Sequence, residues 1–407
     1  MLVAGDYGQT DLEESLDELA ELCDTAGAVV VGRYTQRRQH PDPASYIGSG
    51  KVAELSAFAK ENAVDLVVVD EELSPTQLRN LSKLLELPVV DRTQLILDIF
   101  ARRARTREGK LQVELAQLNY LLPRLAGMWT HLERQRGGIG MRGPGETQIE
   151  VDRRHARRRI KLLEAEITDV GRHRQHARDA RSQVPFPLVA LVGYTNVGKS
   201  TLFNRLTRAD VYADDMLFAT LDPTTRHVPL AGGWDILATD TVGFVSNLPH
   251  QLVAAFRGTL EEVKQADLLL HVVDANHPHM ESHLEAVYTV LDELGVTDKP
   301  VIMVYNKADA VRDQPALRNL VASTRDSVYT SGLTGEGIPQ LLIRIEDVLS
   351  RNLTPLSLLI PYQRGDLAHL CYARGRVMHR ADTEKGILLV AELPTDLAGK
   401  LESYRVS

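Results

Sequence analysis

The run Gly193-Tyr194-Thr195-Asn196-Val197-Gly198-Lys199-Ser200-Thr201 carries the residue types that grip a polyphosphate. Its glycines let the backbone curl until successive N–H groups face inward, and the helix that follows adds positive partial charge. Lys199 is spaced to reach the β- and γ-phosphates, and the Ser200 hydroxyl is spaced to ligate magnesium. The setting is the required one. Apolar Leu188–Val192 predicts a buried parallel strand ahead of the loop, and a helical pattern follows it.

Three more stretches fall downstream in the order and context that a guanine nucleotide site needs. Asp240-Thr241-Val242-Gly243 follows an apolar strand, Trp234–Ala238. It puts a carboxylate where it would hold magnesium through water and a Gly243 N–H near the γ-phosphate. Between the two lies Leu217-Phe218-Ala219-Thr220-Leu221-Asp222, at the position of a first switch. Thr220 is its best candidate for closing onto magnesium when a γ-phosphate is present, with Thr224 and Thr225 as rivals. Asn306-Lys307-Ala308-Asp309 follows the strand Val301–Tyr305 and selects the base. The Asp309 carboxylate can accept from guanine N1–H and the exocyclic amine, and adenine has no matching donors. Ser331-Gly332-Leu333 would close the pocket through backbone N–H contact with guanine O6. Each element ends a strand, where open α/β sheets bind ligands. The reading is GTP or GDP with Mg2+, the metal on Ser200, Thr220 and Asp240, and Lys199, Thr220 and Gly243 as the catalytic groups.

The residue after Gly243 is Phe244. Many GTPases carry there a glutamine that orients the attacking water, and a phenyl ring cannot hydrogen-bond water. Slow intrinsic hydrolysis, helped by a partner or another residue, is the expectation. His271 reads as a core histidine, and His250, His277 and His279 as loop residues near the switches.

The elements that must position these groups follow from composition and pattern. A chain of 407 residues, 43% hydrophobic and 25% charged, is an ordinary globular protein of two to four domains. Cys23 and Cys371 match no metal or disulfide spacing and read as buried thiols of a cytoplasmic protein. The N-terminus has no signal-peptide pattern, and no apolar run reaches membrane-spanning length. Residues 1–25 read as an acidic lead, helical or partly disordered. From Ala28 strands (Ala28–Val31, Asp65–Asp70, Leu87–Val90) alternate with helices (Lys51–Asn62, Ser74–Leu85, Thr93–Arg103), which predicts a small α/β domain with a largely parallel sheet. The turn Tyr46–Lys51 is a weak second phosphate cradle, and Ser49 as a helix N-cap explains it more simply. Beyond Asn352–Pro355 a strand-helix-strand-strand-helix pattern predicts a small α+β appendage. The domains expected are 1–108, 109–184, 185–352 and 353–407.

Leu111, Leu115, Leu118, Leu122 and Leu125 form a heptad seam, as do Ile160, Leu163, Ile167 and Val170. Together they predict an antiparallel helical hairpin. Its tip, Arg134–Thr147, is rich in glycine (Gly137 and Gly138 among them) and carries Arg134, Arg136 and Arg142. The basic flank continues through Arg153 and Arg154 to Lys161. The net charge of −8 argues against a general nucleic-acid binder. A cationic loop on a stiff stalk nevertheless suits insertion into folded RNA, where arginine contacts phosphate and stacks on bases.

GYTNVGKST, LFATLDPTTR (Leu217–Arg226), DTVGFVSNLPHQLVAAF (Asp240–Phe256), NKAD and GGIGMRGPGETQIEVDRR (Gly137–Arg154) together make the chain resemble the HflX GTPases over about residues 28–352. The resemblance implies a translation-associated GTPase, here expected as a monomer. Such a protein binds the large ribosomal subunit and its ribosomal RNA, splits stalled or idle ribosomes under stress, and is stimulated by the ribosome. It implies that the hairpin tip reaches the peptidyl transferase centre, and it favours Thr220 over Thr224. The alternative is a GTP-dependent RNA chaperone or ribosome assembly factor. A metabolic P-loop kinase is disfavoured by the guanine-reading Asn306–Asp309.

Overall fold

The computed structural model describes residues 1–8, 11–128, 144–181, 186–207, 216–232, 234–246, 257–351 and 353–406. Two compact units emerge: Met1–Gly171 with Met216–Phe218 and Ser246–Arg257, and the remainder of the chain.

The first unit holds a four-stranded, all-parallel sheet in the order β2-β1-β3-β4, from β1 (Leu2–Asp6), β2 (Arg33–Arg37), β3 (Val67–Val69) and β4 (Val89–Asp91). The expected acidic lead therefore opens on a strand, Leu2–Asp6, ahead of the expected helix. Leu2, Val3 and Ala4 are buried between two neighbours, and only Leu12–Thr25 is helix, capped by Asp11. The expected strand at Ala28–Val31 is coil with Val29 and Val31 exposed, and the strand starts at Arg33. That strand is a sheet edge of alternating polar residues, so an apolar-run search misses it. One carboxylate of the lead has a use: Glu18, with Asp70 just after β3, pairs with the buried Arg92, and Ser15 Oγ donates to Asp70 at 2.5 Å.

The remaining helices of this sheet domain are Ser49–Glu61, Pro75–Leu85 and Arg92–Arg103. Ser74 and Gln77 close a reciprocal capping box on the second of these. The first is capped by Gly48, not Ser49. Tyr46 and Ile47 are core residues, and the Tyr46 hydroxyl accepts from the Gly5 N–H at 2.8 Å, so the first half of this turn is packing.

Two long helices follow, Arg107–Met128 and Pro144–Arg181. Arg159 makes a two-pronged contact with Glu114 at 2.7 Å, and Arg107 reaches Glu166 at 3.8 Å. Rising numbers on one helix meet falling numbers on the other, so the pair is antiparallel. On the first helix the most buried ridge is Val113, Ala116, Tyr120 and Arg124, not the leucine seam. Arg124 stacks over the Tyr120 ring at 3.5 Å and donates to the Leu73 carbonyl at 2.8 Å. A ridge ending in arginine does not look apolar in sequence. The tip residues Arg134, Arg136, Gly137, Gly138 and Arg142 lie outside the described residues. Arg153 is half-buried and Arg154 exposed on the second helix.

The second unit carries a six-stranded sheet, ordered β10-β9-β8-β5-β7-β6. Its strands are β5 (Leu188–Val192), β6 (Thr224–Pro229), β7 (Asp235–Asp240), β8 (Leu268–Asp274), β9 (Val301–Asn306) and β10 (Ser327–Tyr329). All pairings are parallel except β6 on β7. The central strands are buried on both faces, from Val189 to Val192 and from Leu268 to Val273, as continuous apolar runs require. A separate antiparallel sheet, Leu353–Ile360, Gly386–Pro394 and Arg376–Thr383 in that order, packs against helices Gly365–Arg374 and Thr395–Leu401 through Leu358, Leu389 and Leu397. This is the expected α+β appendage. Cys23 and Cys371 are buried free thiols, and burial pushes both up to about 11.

Candidate nucleotide site

The site collects at the C-terminal ends of β5, β7, β8 and β9. Between β5 and the helix Lys199–Thr207 the loop makes its turn with Asn196 and Gly198 at positive φ. A Cβ on Gly198 would come within 2.5 Å of Asn306 Nδ2, so the approach of β9 to the loop demands glycine there. The buried Lys199 donates to the carbonyls of Gly193 at 3.1 Å and Tyr194 at 2.5 Å. Burial brings its ammonium down to about 8, with Asp240 opposing the shift.

Three oxygens from three segments converge beside it. Ser200 Oγ lies 2.7 Å from Thr220 Oγ1, and both hydroxyls donate to Asp240 Oδ2, at 2.6 and 2.8 Å. Burial raises Asp240 above the usual carboxylate range, while its hydroxyl partners and Lys199 pull the other way. Its second oxygen, Oδ1, is buried without a partner. Hydroxyl, hydroxyl and carboxylate with an unused carboxylate oxygen form the hard donor set that a magnesium ion prefers, so the residues fit that cation. The rivals of Thr220 are elsewhere: Thr224 opens β6, and Thr225 Oγ1 bonds Thr239 Oγ1 at 3.2 Å.

Around this cluster Ala219 and Asp222 are half-buried, Leu221 is buried, and Thr241 anchors to the Leu191 carbonyl at 2.6 Å. Val242 is buried. Phe218 belongs to the first unit, its ring meeting Phe100 edge-on at 4.6 Å. Tyr194 stacks flat on His283, 3.7 Å between centroids, a partner that the sequence reading missed because 89 positions separate them. Burial, then His277 and His279, bring His283 down to about 4. His271 is the core histidine expected, lowered to about 4 by burial. His250 lies outside the described residues. Phe244 is buried; its N–H donates to Gly193 O at 3.1 Å and its carbonyl accepts from Thr195 N–H at 2.7 Å.

At the far end Asn306 works as a buried tie. Its Nδ2 donates to Val197 O at 2.8 Å, and its Oδ1 accepts from Gly332 N–H at 3.0 Å and Thr330 Oγ1 at 3.2 Å. One amide thus joins the phosphate loop to the Ser331–Leu333 turn. Ser331 N–H donates to Glu336 O at 2.9 Å, and Arg205 holds the carbonyls of Gly332 and Leu333. Lys307 pairs with Asp274 at 2.8 Å, Ala308 is buried and Asp309 is exposed.

The sequence matches known proteins over most of its length. Family models described as GTP-binding GTPase N-terminal, GTP-binding GTPase Middle Region, 50S ribosome-binding GTPase and HflX C-terminal domain match residues 13–101, 103–181, 188–307 and 316–404. The GTPase HflX of Caldanaerobacter subterraneus is 48% identical over 395 residues, 97% of this chain and 91% of that relative. The chain belongs to the HflX family of GTPases. The GTPase HflX of Escherichia coli is 48% identical over 88% of this chain and 84% of its own. The crystal structure of SsGBP with GDP is similar over 86% of this chain and 98% of that one, at 25% identity and a TM-score of 0.49. As an HflX-family member this protein binds guanine nucleotides and hydrolyses GTP. No helix among its described residues is long and apolar enough to cross a membrane.

Proposed function

We propose that this protein is a cytoplasmic, monomeric GTPase switch that binds the large ribosomal subunit and dissociates stalled or idle ribosomes. The observation that carries the switch is the closure of Thr220 onto Ser200 and Asp240. Thr220 lies outside any helix or strand, a few residues ahead of β6, whereas Ser200 and Asp240 are fixed by a helix and a strand. A γ-phosphate and a divalent cation would favour the closed arrangement, and their loss the open one.

The nucleotide assignments follow. Gly193 to Thr201 would wrap the phosphates, Lys199 would exchange its two carbonyls for phosphate oxygens, and Gly243 N–H would face the γ-phosphate. Phe218, Ala219, Thr220, Leu221 and Asp222, with Asp240, Thr241 and Val242, would cover the phosphate end. Asn306, Lys307, Ala308, Asp309, Ser331, Gly332 and Leu333 would form the base end. Magnesium, held by Ser200, Thr220 and Asp240, would supply charge balance on the β- and γ-phosphates. The working division is 1–108, 109–184, 185–352 and 353–407. Arg134, Arg136, Gly137, Gly138, Arg142, Arg153 and Arg154 would be the RNA contacts; the antiparallel register through Arg159 and Glu114 and the exposure of Arg154 support a stalk that presents them.

The 50S ribosome-binding description of the matched family model and the HflX relatives support the ribosome as partner. The test is sedimentation of intact ribosomes with the protein and a non-hydrolysable GTP analogue, with GTP turnover measured with and without large subunits. Splitting, and stimulation lost on deleting 137–145, is the expected result. Intact ribosomes and unstimulated turnover would sink the proposal.

A further inference from the structure

Phe244 has no side-chain amide to orient a water; it is buried, and its backbone is bonded to Gly193 and Thr195 of the loop. A polar group must come from elsewhere, and the geometry around Gly243 narrows the search. A Cβ placed on Gly243 would lie 2.7 Å from Thr195 Cγ2 and 3.0 Å from Lys199 Nζ. The Thr195 methyl and the Lys199 ammonium therefore flank the backbone whose N–H is to meet the γ-phosphate, and one turn of χ1 would bring the Thr195 hydroxyl to the place of its methyl. Thr195 is also held in place, because its own N–H is spent on the Phe244 carbonyl at 2.7 Å.

Thr195 is 5% exposed, and its Oγ1 is buried with no hydrogen-bond partner among the described residues, a property it shares with Thr93 Oγ1 and Asp240 Oδ1. An orphaned hydroxyl costs stability that a valine of the same shape would not, and such groups in folded proteins call for an explanation. The buried Asp240 Oδ1 nearby is explained by the cation it would serve. No group among the described residues bonds Thr195 Oγ1.

We propose that Thr195 is a catalytic residue whose hydroxyl takes the water-orienting role for which Phe244 has no group. A hydroxyl can accept and donate at once. It accepts a hydrogen bond from the attacking water and donates its own to a γ-phosphate oxygen. The water oxygen bonds to Pγ as the bond from Pγ to the bridging oxygen breaks. The bonding pair leaves with GDP, a water proton ends on the phosphate product, and Thr195 is unchanged.

The test uses the full chain without ribosomes, so its failure is separable from failure of the ribosomal reading. Single-turnover GTP hydrolysis, affinity for a fluorescent GDP analogue and the melting temperature without nucleotide are measured for the wild type, Thr195→Val and Thr195→Ser. The valine variant is expected to hydrolyse at least about tenfold more slowly. Its GDP affinity should stay within about twofold, and its melting temperature should equal or exceed that of the wild type because a buried orphan is gone. The serine variant keeps the hydroxyl and should stay within about threefold of the wild-type rate. Wild-type hydrolysis in the valine variant overturns the proposal. So does an equally slow serine variant, which would point to the methyl group, or a GDP affinity that falls in step with the rate, which would point to loop shape.

Discussion

The phosphate end and the base end of the nucleotide site are built in opposite ways. At the phosphate end the working groups are buried and bonded to one another: Lys199 to two loop carbonyls, Ser200 and Thr220 to Asp240. At the base end the buried group, Asn306, touches only protein, and the carboxylate that would read guanine stands exposed at Asp309. Phosphates must therefore replace bonds the protein already makes to itself, while the base meets a carboxylate that stands exposed. Framework and recognition share the same residues at one end and are divided between neighbours at the other.

The largest effect should come where framework and recognition coincide. Lys199→Ala removes a side-chain cation placed to meet the transferring phosphoryl group, and kcat for GTP should fall on the order of 10²–10³-fold. The melting temperature without nucleotide should hold or rise, since the variant no longer buries a charge. A melting temperature that collapses with the rate would mean that the ammonium mainly staples the loop.

The base end offers the sharper contrast, in two variants three positions apart. Asn306→Ala strands the Gly332 N–H, the Thr330 hydroxyl and the Val197 carbonyl, a loss of about 2–4 kcal/mol. The melting temperature without nucleotide should drop by about 5–10 °C. Asp309→Ala touches an exposed residue, so its melting temperature should stay within about 1 °C. Its affinity for GDP should fall by about 10–100-fold as two charge-assisted hydrogen bonds are lost. Equal behaviour of the two in both assays would erase the division between tie and reader.

How much of this was legible follows the same line. The loop Gly193–Thr201, Asp240–Gly243 and Asn306–Asp309 are contiguous in sequence, each at the end of an apolar strand, and reading them needed only local pattern. Local pattern left Thr224 and Thr225 as rivals of Thr220 and only the family resemblance favoured it; in the structure its hydroxyl lies on Asp240. That is a contact across 20 residues, beyond any periodicity. The orphaned Thr195 hydroxyl was invisible for a different reason: lacking a partner is a property of surroundings. In the fold, helices with strong caps such as Ser74 were placed within a residue or two. Leu2–Asp6 was missed because a five-residue strand with a glycine, next to acidic residues, carries little strand signal, and its evidence is the neighbours it pairs with. Tyr120 and Arg124 were missed because the heptad count ranks leucine above a stacked arginine.

The smallest effect tests the exchange of bonds at Lys199 directly. Burial lowers its ammonium from 10.5 to about 8, against the pull of Asp240. Between about pH 8 and 10.5 the folded protein then holds fewer protons than the unfolded chain, and this group alone makes stability rise with pH across that window. Nucleotide binding must run the other way. Phosphates hold the lysine charged, so above pH 8 each binding event takes up a proton and affinity falls tenfold per unit. GDP should bind about tenfold more weakly at pH 9 than at pH 7 by fluorescence titration. Lys199→Arg cannot lose its charge in this range, and whatever its absolute affinity, its pH dependence is the control for titration of the nucleotide. Parallel curves for lysine and arginine would show an ammonium that is fully charged throughout. The phosphate end would then need no exchange of protons, and its difference from the base end would reduce to burial alone.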